Sequence, residues 1–476
     1  MAASRGKAGG IAGPVTVAER PSHTPGAPAR AFGTGAVLAS AGLMASFGAL
    51  GINSIAVARI EGPDGAGLVA LCTQVVVIAA FVAGIGMRTS VTYRVGAGLW
   101  SPRSAARGAV RASVVLGLAG AALGFGAYLL LRHSAMSEFS PLMAASLMGA
   151  LPFALAWWIV PAIPLACERF EQYALVTVSA PAAVLVMCPT GALIGGSTGT
   201  VIGFAAGFAA GGVVNAVWAL RFARRQGAGH GPDQGVRAAG AFGMRAWVND
   251  LFQFINVRPD LFILSAYWGA ADTGVYAVTI SITSLVWILS QPLASVVLPR
   301  TASLEAANLG MPATATARGP QASAVRHAVL VCALTAVAVV PVLAVAPLVW
   351  GSGFGRIPEL GLIVVPGVAL LGVARVMVAA FTGRGAANHA LLVGLVSFPL
   401  TVVAYLLVIP DYGDTGAAIV SCGSYVLVSV LSAVLFFRTT QAGLRGALVP
   451  RRQDLEDYVR LARRIKGGLL ARTGRL

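Results

Sequence analysis

The stretch Asn249-Asp-Leu-Phe-Gln-Phe-Ile-Asn-Val-Arg-Pro-Asp260 sets Arg258, Pro259 and Asp260 near the middle of a long apolar run. An ionisable side chain at bilayer depth costs several kcal/mol unless it meets a partner, water or a substrate. Keeping such residues there points to a chain that moves something polar through its interior. That reading holds only if the rest of the chain is built for a membrane.

It is. The 476 residues are 57% hydrophobic and 11% charged, where a soluble domain carries about 25% charged residues. The net charge of +17 raises nucleic acid as a partner, but the arginines sit in short loops and tails between apolar runs. Membrane topology places cations there, so nucleic acid is excluded. Cys72, Cys167, Cys188, Cys332 and Cys422 show no paired spacing; they read as buried thiols, with neither a disulfide framework nor a metal site.

Apolar stretches long enough to cross a bilayer fall at 34–58, 66–87, 109–131, 142–166, 174–195 and 199–221, then at 247–268, 273–297, 327–350, 359–382, 387–409 and 413–437. The predicted fold is all-α, with 12 transmembrane helices in two six-helix lobes around a central cavity. Loop charge alternates. One side holds Arg88 to Arg111, Arg169, Arg221 to Arg245, Arg300 to Arg326, Arg384 and the tail; the other holds Glu61, Asp64, Glu138, Asp272, Glu359, Asp411 and Asp414, with only Arg59, Arg132 and Arg356. The arginine-rich side is expected to be cytoplasmic, with both termini on it.

Three turns on the acidic side resemble one another: Gly62-Pro-Asp-Gly-Ala-Gly67, Gly269-Ala-Ala-Asp-Thr-Gly274 and Gly413-Asp-Thr-Gly416. Glycine takes positive φ in a turn and lets helices approach. The run into the first turn, with Ile52-Asn53, aligns with that into the second, with Ile255-Asn256. The chain therefore divides into a disordered cytoplasmic arm (1–33), an N-terminal lobe (34–222), a cytoplasmic linker (223–246), a C-terminal lobe (247–437) and a basic tail (438–476). Within the tail, an amphipathic helix from Leu455 is expected to lie on the membrane surface. Paired repeats bind substrate at their interface near the midplane.

At 100° per residue, Asn249, Gln253, Asn256 and Asp260 share one helical stripe, the wall of a wet cavity. Arg258 falls opposite, and Pro259 kinks the helix between them. A guanidinium at this depth either grips a diphosphate with paired N–H donors or pairs with a carboxylate of another helix; both readings stand. Asp260 is a candidate for ion coupling or for balancing Arg258. Arg375, in the tenth stretch, is a second substrate-binding candidate, with snorkelling as its plainer role. Asn53, Gln74, Thr279, Ser281 and Gln291 are lesser cavity groups, since a lone hydroxyl in a span usually bonds its own backbone. Trp157 and Trp158 read as packing aromatics. No metal-spaced histidines, nucleophile elbow or P-loop occurs, so no catalytic residue, metal or cofactor is expected.

Asn256-Val-Arg-Pro-Asp260-Leu-Phe-Ile-Leu, Trp268-Gly-Ala-Ala-Asp-Thr-Gly-Val-Tyr-Ala277 and Gln291-Pro-Leu-Ala-Ser-Val-Val-Leu-Pro-Arg300 resemble the polysaccharide-type flippases of the multidrug/oligosaccharidyl-lipid/polysaccharide exporter superfamily. Gly84-Ile-Gly-Met-Arg88, Glu168-Arg-Phe-Glu-Gln-Tyr-Ala174, Pro366 to Arg375 and Gly383-Arg-Gly385 support the likeness over residues 34–437. The resemblance implies two lobes around a cationic cavity in the cell membrane. It also implies export, for polysaccharide biosynthesis, of undecaprenyl-diphosphate-linked oligosaccharide between leaflets by alternating access. Its implied partners are that lipid-linked oligosaccharide, membrane lipids, and a glycan polymerase with chain-length proteins. The drug-extruding branch often carries a carboxylate in its first span, and Thr34 to Ala58 has none. The alternatives are a cation-coupled multidrug exporter, a membrane glycosyltransferase or polymerase, which would need a larger outer loop, and a non-transporting scaffold of a glycan-assembly complex.

Overall fold

The structure, a computed structural model, describes residues 29–96, 99–134, 136–225, 258–288, 290, 319–383, 387–440 and 444–449. The described residues are helical almost throughout. Helix α1 spans Ala29–Gly84, α2 Met87–Gly96, α3 Pro102–Leu131, α4 Pro141–Gly149, α5 Leu151–Ile159, α6 Ala162–Ala166 and α7 Phe170–Arg225. After the linker come α8 (Pro259–Thr283), α9 (Leu285–Ile288), α10 (Gly319–Trp350), α11 (Ile357–Gly383), α12 (Ala387–Thr440) and α13 (Leu444–Leu448).

Among the described residues, eight stretches are long and apolar enough to cross a membrane. Several are too long for one crossing. The 56 residues of α7 would make a straight rod of about 84 Å at 1.5 Å per residue, against a hydrocarbon core of about 30 Å. The backbone breaks at Gly62 in α1, Gly195 and Gly196 in α7, Gly269 in α8 and Gly413 in α12. Gly62 at φ 71° and Gly269 at φ 78° occupy the left-handed region, where a Cβ meets the following carbonyl and costs about 1–2 kcal/mol.

The breaks in α7, α8 and α12 reverse the chain. Across the α7 turn Gly191 lies on Gly199, Gly207 on Val184 and Gly211 on Ala180, so that one number rises as its partner falls, the register of antiparallel helices. Tyr276 reaches back to Asp260 across Gly269, and Tyr405 meets Ser421 across Gly413. Three of the eight stretches are thus hairpins, and a fourth, in α1, breaks at Gly62 in the same way. The three turns singled out in the sequence each pivot on their first glycine.

The first helical segment runs past the expected end at Ala58, because the residues beyond it are satisfied. Arg59 donates from Nε to the Val349 carbonyl at 2.7 Å and from a terminal nitrogen to that of Leu348, both at the end of α10. Glu61 accepts from the Thr200 hydroxyl at 2.6 Å. The first helix therefore does carry a carboxylate, at its very end. The fourth expected span, 142–166, is three short helices, α4 to α6, with Pro152 at the start of α5 and Pro161 before α6.

The helices pack in two groups. Among α1 to α7 the main contacts are α1 with α7, and α5 with α3 and α7; in the second group α11 packs on α10 and α12, and α8 on α12. The groups meet chiefly where α1 faces α8. A methyl on Gly67 would overlap the Ala270 carbonyl, and one on Gly274 would overlap that of Pro63, so backbone lies directly on backbone. Arg59 to α10 is a second tie between the groups, at the same end. Arg356 joins neighbouring turns there, at 2.8 Å from Asp414 and 3.8 Å from Asp272. At the opposite end the basic tail begins with α13, whose Gly446 carbonyl accepts from Arg326 at 2.6 Å. The amphipathic stretch from Leu455 lies outside the described residues.

Glu138 sits at this acidic contact, its carboxylate beside Gly269. Partial burial, and then the nearby Asp64 charge, raise its pKa above the usual carboxylate value. A raised folded pKa means that the native state holds its proton better than the unfolded chain. Stability is therefore gained as pH falls through the raised value and lost as pH rises above it. Glu138→Gln is expected to raise Tm at about pH 8 and to reduce the gain seen on acidification to about pH 5. An unaltered Tm profile in detergent would remove Glu138 as a source of the pH dependence.

Candidate functional site

The opening stretch folds differently from a kinked helix. Proline lacks an N–H and disfavours the helical region for the residue before it. Pro259 consequently starts α8, and Arg258 precedes it at φ −151°, ψ 37°, outside the helix. The expected stripe of Asn249, Gln253, Asn256 and Asp260 cannot continue through Arg258, because 100° per residue applies only within one helix. Asn249, Gln253 and Asn256 lie outside the described residues. Asp260 does not face a wet wall: it is 1% exposed.

What surrounds Asp260 is a hydrogen-bonded chain. In the first turn of α8 its Oδ1 accepts from the Leu261 N–H at 3.0 Å, where the helix N-terminus favours negative charge. Its Oδ2 accepts from the Tyr276 hydroxyl at 2.7 Å. Tyr276 Oη lies 2.6 Å from Ser421 Oγ, and Ser421 Oγ 2.7 Å from Tyr405 Oη. All four residues are buried. An ionised Asp260 forces the sense of donation: Tyr405 to Ser421, Ser421 to Tyr276, Tyr276 to the carboxylate. A protonated Asp260 permits the reverse. The row can thus pass a proton by reversing its O–H bonds.

Two arginines approach the same region. Arg258 is half-buried and within electrostatic reach of Asp260, Tyr405 and Tyr425. Arg375, on α11, sits with its guanidinium 3.9 Å from the Trp287 ring centroid and acts on Tyr425 as well. Stacking on an aromatic face holds a cation without neutralising it. Among the described residues neither arginine forms an ion pair with a carboxylate. Arg375 is thus held on an aromatic face, and Arg258 is not held by Asp260 in a direct pair. Both guanidinium charges act on Tyr425.

The sequence candidates and the observed cluster overlap only in part. Arg258, Asp260 and Arg375 come together; Tyr276, Tyr405, Ser421, Tyr425 and Trp287 join them unannounced. Thr279 and Ser281 bond their own helix, to the Val275 and Ala277 carbonyls. Gln74 is half-buried in the other group, and Gln291 lies outside the described residues. Asn53 is fully buried in α1, with no oxygen or nitrogen partner for its amide among the described residues. Trp157 packs edge-on against Phe208 and donates to the Thr177 carbonyl, which is the structural role expected of it. The five cysteines are free thiols.

No protein-family model and no curated protein matches the chain. Solved structures do match. An inward-facing multidrug resistance MATE family transporter of the MOP superfamily superposes with a TM-score of 0.66 at 16% identity, over 83% of this chain and 94% of its own. An outward-facing structure of the same description gives 0.53 at 15% identity, over 88% and 97%. The lipid II flippase MurJ in an inward closed conformation gives 0.63 at 10% identity, over 86% and 89%. These matched proteins are transporters, not enzymes. The chain is an all-helical, multi-pass membrane protein with the fold that MATE transporters and the MurJ flippase share.

Proposed function

We propose that the protein flips undecaprenyl-diphosphate-linked oligosaccharide across the cytoplasmic membrane by alternating access of two six-helix lobes, with both termini cytoplasmic. The observation that carries this reading is the pair of cations Arg258 and Arg375 acting on Tyr425, neither with a carboxylate partner among the described residues. Two planar forks without carboxylate partners suit a diphosphate, which accepts two parallel N–H bonds from each. Asn249, Gln253 and Asn256, just before Arg258 in sequence, would meet the glycan, and the lipid tail would stay in the bilayer. The likeness to a lipid II flippase supports a lipid-linked cargo. Asp260, at the end of its hydroxyl chain, would couple transport to a proton gradient.

A second reading, a cation-coupled drug exporter, is favoured by Glu61 at the end of the first helix on Thr200 and by the likeness to multidrug transporters. Parallel assays on proteoliposomes of the full chain separate the two. Flipping predicts transfer of a fluorescent undecaprenyl-diphosphate oligosaccharide above protein-free vesicles, with no efflux of a cationic dye. Dye efflux without lipid transfer would reverse the assignment.

A further inference from the structure

A groove of about 460 Å³ lies on the arginine-rich end of the N-terminal group, away from the Arg258–Arg375 cluster. Its walls are Arg169 and Gln172 at the start of α7, and Val213, Val214, Val217, Trp218, Arg221, Phe222 and Arg225 near its end. The α7 hairpin brings its own two ends together here. Three guanidinium groups ring one part of the groove; exposed Val213, Val214 and Val217 continue from it along the lipid-facing surface.

The basic part is organised as a site. Glu168, at φ 56°, turns the chain into α7. The Arg169 guanidinium lies 5.1 Å from the Phe222 ring centroid. Phe222 in turn stacks on Trp218 at 5.0 Å and 16°. Among the described residues, neither Glu168 nor Glu171 pairs with these arginines. The Gln172 side chain buries its Oε1 with no partner among the described residues. A half-turn of the amide, which exchanges oxygen for NH2 in the same density of atoms, would offer a donor there. The first turn of α7 adds free backbone N–H groups and the positive end of its dipole.

We infer that this groove binds an anionic glycerophospholipid of the adjoining leaflet, its phosphate among Arg169, Arg221, Arg225 and Gln172 and its acyl chain along Val213, Val214 and Val217. The complementarity is in both parts: a cationic cradle at headgroup level, and an apolar strip leading down the helix from it. A free anion would use only the first part. The inference does not rest on the transport reading, since it concerns a different face of the protein.

Native mass spectrometry of the full chain in mixed micelles of phosphatidylglycerol and phosphatidylcholine tests it. Preferential retention of one phosphatidylglycerol is expected. Arg169→Gln, Arg221→Gln and Arg225→Gln should each weaken that retention about fivefold, the factor that one juxtamembrane cation contributes at an anionic surface. The three lysine substitutions should retain more of it than the glutamines, and Tm in neutral detergent serves as the check on folding for every variant. Equal retention of the two lipids, or a preference that survives the triple glutamine change in a folded protein, would overturn the assignment. So would displacement by millimolar inorganic phosphate, the mark of a site for free anions. Retention of no lipid would likewise overturn it.

Discussion

Replacing Arg258 and Arg375 together by glutamine is expected to lower lipid-linked oligosaccharide transfer by about 100-fold or more, while Tm in detergent changes little. Each charge-assisted hydrogen bond contributes about 1.5–3 kcal/mol, so losing one from each arginine amounts to between about 100-fold and 10⁴-fold. Folding should survive because neither guanidinium is in an ion pair among the described residues, and the buried Asp260 carboxylate keeps its Leu261 and Tyr276 donors. The single changes should lie between, with Arg375→Gln also freeing the Trp287 face that the cation covers. Arg→Lys at either position should recover only part of the rate, since lysine presents a point charge instead of a fork. The initial rate in proteoliposomes reads all of these. Transfer unaltered in the double variant would remove the diphosphate role.

The second large effect is expected at Asp260. Asn keeps the shape and can still accept from Tyr276, but takes up no proton. Asp260→Asn should therefore leave the protein folded and abolish the response of transport to an imposed proton gradient. One charge moved through about 100 mV is worth about 2.3 kcal/mol, or roughly 50-fold in accumulation. Tyr276→Phe should do the same and also destabilise by about 1–3 kcal/mol, because it strips a buried carboxylate oxygen of its donor. Ser421→Ala cuts the row one step further away, leaving the Asp260–Tyr276 bond in place. Its expected signature is a lost gradient response with a destabilisation of about 1–3 kcal/mol, because the buried Tyr405 hydroxyl loses its partner. Gradient stimulation that persists in all three variants would assign the chain of hydroxyls to structure alone.

How far these residues could be found from sequence depended on whether their chemistry is local. The turns at Gly62, Gly269 and Gly413 were legible because a positive φ leaves a composition trace: glycine where other residues are strained. Arg258, Asp260 and Arg375 were legible because charge in an apolar run costs energy wherever the chain goes. Arg59 and Glu61 misled for the same reason. Read as loop residues, they are helical, because α10 carbonyls and a Thr200 hydroxyl satisfy them from distant segments.

Pro259 was visible, but its effect was misjudged. A proline within a helix and a proline opening one look alike until the backbone of the preceding residue is known, and Arg258 proved to be non-helical. The Tyr276–Ser421–Tyr405 row left no trace at all. Its partners lie 145 residues apart in sequence, and tyrosine in an apolar run reads as packing until its hydroxyl is seen to need a partner.

The most direct test of the diphosphate site is a photoreactive undecaprenyl diphosphate cross-linked to the full chain and mapped by mass spectrometry. Adducts are predicted around Pro259 to Ile263, Val373 to Met377 and Val420 to Tyr425, and are expected to be lost in the Arg258→Gln, Arg375→Gln variant. Adducts confined to the N-terminal group, around Asn53 and Glu61, would contradict it.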